Sequence, residues 1–182
     1  MHKQQTSSII LAILLIVTAA VSRVVLYPHN FSPVIGMAIF AGAVIKDKRL
    51  AFMLPIAAMF LSDVMFEVFN IAPGFWGWGQ LVGYSILALI TVLAFTMKKI
   101  NVVNVLGYSI ASSLIFFVLS NGSVWLFDKT TYAQNFSGLM DCLAAGIPFL
   151  KTGMIADITF SAVLFGTYYL MQRYALGEKI KA

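Results

Sequence analysis

Charge is scarce in this chain. Twelve lysines and arginines and seven aspartates and glutamates are spread over 182 residues, 10% charged in all, where soluble proteins carry roughly a quarter. A water-soluble fold of this size would have too little polar side chain to cover a composition that is 60% hydrophobic. Cysteine is scarcer still: Cys142 stands alone, so no disulfide closes within the chain. Two histidines and one cysteine fall short of a zinc site, which wants four ligands or three plus water. His29 or Cys142 would serve only to cap the open axial position of a metal already held by a ligand ring, such as a corrinoid. No nucleophile elbow, phosphate loop, His-Glu-x-x-His or acid/base pair is present, and Ser112-Ser113 has no base beside it. An enzyme is not expected, nor a cofactor or metal of its own.

What fills the chain is apolar sequence. Six runs, near 8–26, 33–45, 50–69, 81–97, 102–127 and 147–171, occupy most of it. About 20 apolar residues cross the ~30 Å hydrocarbon layer. The expectation is one all-α integral membrane domain over 1–182, a bundle of six transmembrane helices. The first run follows His2 and Lys3 and has Thr18-Ala19-Ala20 as a possible cleavage neighbourhood. It exceeds the ~7–15 residues of most signal-peptide cores, so it reads as a span. The second run is short; it must use polar neighbours at its ends or be shielded by protein. The sixth holds Pro148 and its upstream part, from Leu143, reads as an interfacial turn before the helix. No heptad repeat, low-complexity tract or soluble domain is visible.

The basic residues give an orientation. Lys3, Lys46, Lys48, Arg49, Lys98, Lys99, Arg173, Lys179 and Lys181 fall in alternate connections and at the two ends, leaving only Arg23, Lys129 and Lys151 elsewhere. Positive loops stay on the cytoplasmic side, so both termini are expected inside. Trp76, Trp78 and Tyr132 then meet the outer interface. The net charge of +5 is a topology signal, and no nucleic-acid partner is expected; the lipid bilayer is.

Ionisable groups within spans cost about 2.5–3.5 kcal/mol each at the helix centre on insertion scales, so each asks for a reason. Arg23, Asp63, Glu67 and Lys151 lie in the outer halves of their spans, and Asp157 lies deeper. Asp63 and Glu67 share a helix face and repel. Arg23 and Lys151 are at the right depth to neutralise them, either as structural pairs Arg23–Asp63 and Lys151–Glu67 or as part of an outward-facing site. Asp157 has no sequence-local partner and must find one across helices, take a proton, or meet water or a ligand. Ser113, Phe117, Asn121 and Trp125 recur every four residues on one helix side, which is ordinary packing or a stripe for a flat, polar-edged ligand. Ala38 and Gly42, and Gly153 four before Asp157, have the spacing that lets membrane helices approach closely.

Six spans with both ends inside and an outer-half site resemble the substrate-binding S components of energy-coupling-factor (ECF) vitamin transporters. The stretches Arg23, His29-Asn30-Phe31-Ser32-Pro33-Val34, Phe40-Ala41-Gly42-Ala43 and Ser62-Asp63 resemble an uncharacterised bacterial family placed near those components. So do Ser120-Asn121-Gly122-Ser123-Val124-Trp125, Gly138-Leu139-Met140-Asp141-Cys142 and Ile147-Pro148-Phe149, and the likeness spans about residues 20–166. The resemblance implies a small solute, vitamin-like or metal-related, taken from the outer face of a bacterial cytoplasmic membrane, with an ECF coupling subunit and ATPases as partners. One element departs: the Ala-xxx-Ala docking pattern of S components is missing, since Ile16 follows Ala12 at that spacing, which leaves a solitary S-like protein as the variant. The candidate substrate-binding set is Arg23, Asn30, Asp63, Asn121, Trp125, Lys151 and Asp157. A scaffold subunit without transport is the alternative; a proton-linked secondary transporter using Asp157 is a further one, disfavoured by the lack of a visible inverted repeat.

The orientation is open to direct measurement. A cysteine at Lys48, in a Cys142→Ser background, is expected to react with a membrane-impermeant maleimide only after cells are permeabilised. Labelling in intact cells would reverse the assignment.

Overall fold

The computed structural model of the protein describes residues 2–25, 31–75 and 77–174. These form six helices and no strand: α1 His2–Val25, α2 Val34–Val44, α3 Lys48–Val68, α4 Trp78–Ala94, α5 Val102–Phe127 and α6 Phe136–Tyr174. Four of them, α1 from Thr6 onward together with α3, α5 and α6, are long and apolar enough to cross a membrane. The exterior suits that setting. On α1, Ala12, Ile16, Ala19 and Ala20 are buried while Ile10, Leu14, Val17 and Val21 face outward. The two faces differ in size and packing rather than in polarity, the mark of a helix whose far side has no need of water. Ala12 and Ile16 therefore point into the bundle.

The short second run resolves as the centre of the fold. Helix α2 touches all five other helices, and Ile35 through Gly42 are buried without interruption. At 11 residues it is about 16 Å long, half a bilayer. It is shielded by protein rather than extended by polar ends. Its glycines set the approach of its neighbours. A Cβ on Gly36 would sit 3.1 Å from Cβ of Phe160 in α6, and one on Gly42 would sit 2.6 Å from the Thr91 carbonyl and 2.7 Å from Cβ of Ala94 in α4. Phe40, one turn after Gly36 on the side facing α6, stands edge-on to Phe165 and Tyr168 at 5.1 and 5.4 Å between ring centroids.

Capping fixes the turns. Asp47 accepts from the amides of Arg49 and Leu50 at 2.9 and 3.2 Å and starts α3; Asn101 accepts from the Asn104 amide at 2.8 Å and starts α5. Both satisfy amides that a helix start leaves open. Lys48 ties the two turns together, its Nζ lying 4.3 Å from the centroid of the Phe95 ring. The basic turns 46–49 and 95–101 thus share one end of the bundle.

Helix α6 corrects the sequence expectation. The segment ahead of residue 147 is no interfacial turn: the helix begins at Phe136 and runs 39 residues through Pro148, about 58 Å. Asn135 begins it by accepting from the Gly138 amide at 2.9 Å. Proline removes one amide and crowds the carbonyl four residues back, and here a long helix absorbs that loss at an exposed position.

Close packing at Gly42 generates a prediction. Gly42→Val is expected to lower stability by about 1–3 kcal/mol through overpacking, read as an earlier thermal transition of purified protein in detergent. Gly107→Ala, where an added Cβ meets nothing within 4 Å, is the control and should leave the transition in place.

Candidate functional site

At the end of the bundle away from the basic turns, Asp63 gathers four segments. One carboxylate oxygen takes Nη1 of Arg23 from α1 at 2.6 Å. The other accepts from Nε2 of Gln80 at 2.9 Å and from the Tyr84 hydroxyl at 2.6 Å, both on α4. Gln80 also donates to the Gly74 carbonyl at 3.0 Å, and Nη1 of Arg23 reaches the Ser62 hydroxyl. The loop after α3 folds back so tightly that a Cβ on Gly74 would strike the Asp63 carbonyl. A carboxylate at 1% exposure is tolerable only with such saturation by a cation and hydrogen bonds. Its role is to hold Arg23, whose guanidinium carbon also lies 4.7 Å from the centroid of the Phe66 ring.

Glu67 does not pair with Lys151. Its Oε2 accepts from the Gly74 amide at 3.0 Å, while Lys151 is exposed on α6. Four-residue spacing put Glu67 and Asp63 on one face, but the loop amide arrives first and needs no cation.

A second polar seam joins α5 to α6. The Ser109 hydroxyl meets that of Ser161 at 2.9 Å, and the Ser113 hydroxyl meets Oδ2 of Asp157 at 2.6 Å. Four-residue steps on both helices align the two tiers. Ser113 also reaches the Ser109 carbonyl at 2.9 Å, so its single proton has two acceptors. Asp157 is 3% exposed, and Ser113 is its hydrogen-bond partner among the described residues.

Between these two polar groups lies a cavity of about 430 Å³, within the usual range for small-molecule sites. Arg23 and Ser32 line it from one side, and Ser113, Asn121 and Asp157 from α5 and α6. Its apolar walls include Phe31, Phe66, Phe116, Phe117 and Phe149. Gly83 and Gly153 lie on the wall too, and a Cβ at either would meet nothing within 4 Å. Gly153, expected as a helix-packing position, therefore opens space rather than closing it. The close approach of α5 and α6 falls instead at Gly146, where a Cβ would sit 2.6 Å from Oδ1 of Asn121.

Of the seven residues singled out from sequence, Arg23, Asn121 and Asp157 line the cavity, and Asp63 stands behind Arg23. Asn30 lies outside the described residues, as does His29. Trp125 and Lys151 are not on the wall. Trp125 ends the stripe by turning to the loop after α5: its Nε1 donates to the Ala133 carbonyl at 2.9 Å, and its own carbonyl accepts from Gln134 at 2.7 Å. In that loop the hydroxyls of Thr131 and Thr130, then their amides, hold the Asp128 carboxyl below the usual carboxylate range, so it stays ionised as pH falls. Sequence reading placed Phe117 in the stripe but gave no site role to Ser32, to Phe31, Phe66, Phe116 and Phe149, or to the pair Gln80 and Tyr84. An amide four residues before a tyrosine within an apolar run was the available signal. Cys142 is buried and donates to the Asn121 carbonyl at 3.3 Å. Among the described residues no three His, Cys, Asp or Glu side chains are grouped to hold a metal ion.

Asp63→Ala is expected to cost about 3 kcal/mol, because it leaves the part-buried guanidinium of Arg23 and the buried amide of Gln80 without their shared acceptor. Asp63→Asn, which keeps an acceptor for Tyr84, should cost less. Thermal unfolding in detergent compares them, and equal transitions for Asp63→Ala and the parent would remove Asp63 from its structural role.

Neither curated proteins nor solved structures give a match to the chain. The family model that does match covers residues 3–179, and the chain belongs to that family, described as a family of unknown function, DUF6580.

Proposed function

We propose that the protein is a six-span membrane subunit that binds a small solute in the cavity between Arg23 and Asp157, for uptake from the outer face. The observation that carries this reading is the cavity itself, apolar and aromatic over most of its wall with a few polar groups converging on it, the usual make-up of a small-molecule site. Its position supports the direction. The wall draws on the end of α1, the end of α3 and the late turns of α5, away from the basic turns 46–49 and 95–101, which the positive-inside tendency assigns to the cytoplasm. Both termini are then cytoplasmic, and the membrane is a bacterial cytoplasmic one. Helix α2 completes the crossing within the bundle, and α4 packs beside it with Leu81, Leu89 and Val92 facing outward.

The resemblance to ECF S components supports the same reading, since those subunits take their solutes from outside. Coupling to a shared ATPase module stays the weaker half of that likeness. Ala12 and Ile16 are buried within the bundle, so the outward face of α1 is made by Ile10, Leu14, Val17 and Val21 instead. Within the site, Arg23 is braced by Asp63, Asn121 offers its amide, and the phenylalanines supply flat contact surface. The scaffold alternative assigns no use to open space beside Gly83 and Gly153.

Those glycines supply the test. Gly153→Leu fills the cavity without meeting a neighbour at Cβ, so the protein should keep its thermal transition. Mass spectrometry of small molecules that copurify in gentle detergent should find a solute with the parent chain and at least about tenfold less with the variant. Equal solute occupancy in both, or none in either, sinks the proposal in favour of a scaffold role.

A further inference from the structure

We propose that the solute is an organic cation with an aromatic or bulky apolar body, its charge met by the carboxylate of Asp157. The inference rests on the solute-binding reading above and names the class of compound. Three observations carry it. First, the two charged groups on the cavity wall are Arg23 and Asp157, and they stand in different electrostatic situations. Arg23 is already neutralised by Asp63 at 2.6 Å, which in turn is saturated by Gln80 and Tyr84. Asp157 has the Ser113 hydroxyl and no cation among the described residues. Asp157 is therefore the acid on the wall that lacks a cation partner among the described residues. Burying a carboxylate without a partner is costly, so the group holds a proton until a cation takes its place; a bound cation supplies the missing partner, and a bound anion does not.

Second, the rest of the wall suits a cation with a greasy body. Phenylalanine faces attract a desolvated ammonium or pyridinium group through the ring quadrupole, and Phe116 and Phe117 stand on the same helix as Ser113. A strongly hydrated metal ion would find few oxygens here. Third, Ser32 brings a buried hydroxyl oxygen with no hydrogen-bond partner among the described residues to the same cavity. Buried polar atoms of this kind are rare in folded proteins. This hydroxyl, with the Asn121 amide, is suited to a polar group on the solute beyond its charge.

The lysine expected to meet an anionic group is absent from the wall, since Lys151 is exposed on the far side of its turn. An anionic solute would have Arg23 alone, shared with Asp63.

The experiment uses the purified full chain in nanodiscs and follows its thermal transition with aromatic probes of graded size in three charge states. Phenethylammonium and 1-benzylpyridinium represent the cations, 2-phenylethanol and diphenylmethanol the neutral compounds, and 3-phenylpropionate and diphenylacetate the anions. Cations are expected to raise the transition, with neutral and anionic analogues at least about tenfold weaker, as loss of a charge-assisted contact implies. Asp157→Asn, which keeps the shape and the contact to Ser113, should reduce cation affinity by a similar factor. Should that variant fail to fold, Asp157→Glu, which keeps the charge, is expected to retain the order of preference. Anions or neutral compounds binding as well as cations would overturn the inference and leave solute binding standing. Cations binding Asp157→Asn as tightly as the parent would overturn it too. No response in any class would count against both.

Discussion

The end of the bundle away from the basic turns depends on how one carboxylate is satisfied. Asp63 sits in an apolar helix with almost no access to solvent, and an ion there is tolerable only if protein supplies what water would have supplied. The supply comes from α1, from α4 and from the loop between α3 and α4. Arg23 neutralises the charge, Gln80 and Tyr84 occupy the second oxygen, and the Gly74 carbonyl holds Gln80 in place. Arg23 lies on the cavity wall, and Gln80 and Tyr84, one turn apart on α4, stand behind it. The placement of Arg23 at the cavity is thus a by-product of charge compensation. Across the cavity Asp157 is compensated far less completely, by a single serine hydroxyl. The contrast between a saturated acid and an unsaturated one is the chemical content of the site.

Much of the architecture was legible because lipid imposes simple rules. Long apolar runs and clustered lysines mark where helices run and where they turn, and the run 102–127 coincides with α5. The pairing of Arg23 with Asp63 was legible for the same reason, since a buried charge narrows its own list of partners. Partners that bear no charge were harder to see. Gln80 and Tyr84 carry no charge, so their one signal was an amide one turn before a tyrosine, and Ser109 looks like any small residue in a membrane helix.

Where the reading failed, a local signal lost to tertiary context. Lys151 has the right depth for a site residue, yet depth along an axis says nothing about which way a side chain points. Trp125 continued a four-residue pattern that ends when the chain turns and the indole finds a loop carbonyl. Gly153 and Gly42 were alike as sequence: both are glycines at close-packing spacing. Only the neighbouring helix distinguishes them, by coming close at Gly42 and staying away at Gly153. Pro148 marked a boundary that the helix simply ran through.

The brevity of α2 bears on biogenesis. A segment of 11 residues leaves a large hydrophobic mismatch if it faces a bilayer of ordinary thickness by itself. It becomes comfortable once α4 and α6 enclose it, and both are made after it. Insertion in the order of synthesis would therefore leave the central helix waiting, its flanks exposed to lipid, until the C-terminal half has been delivered. The last helices of the chain close the fold around its second.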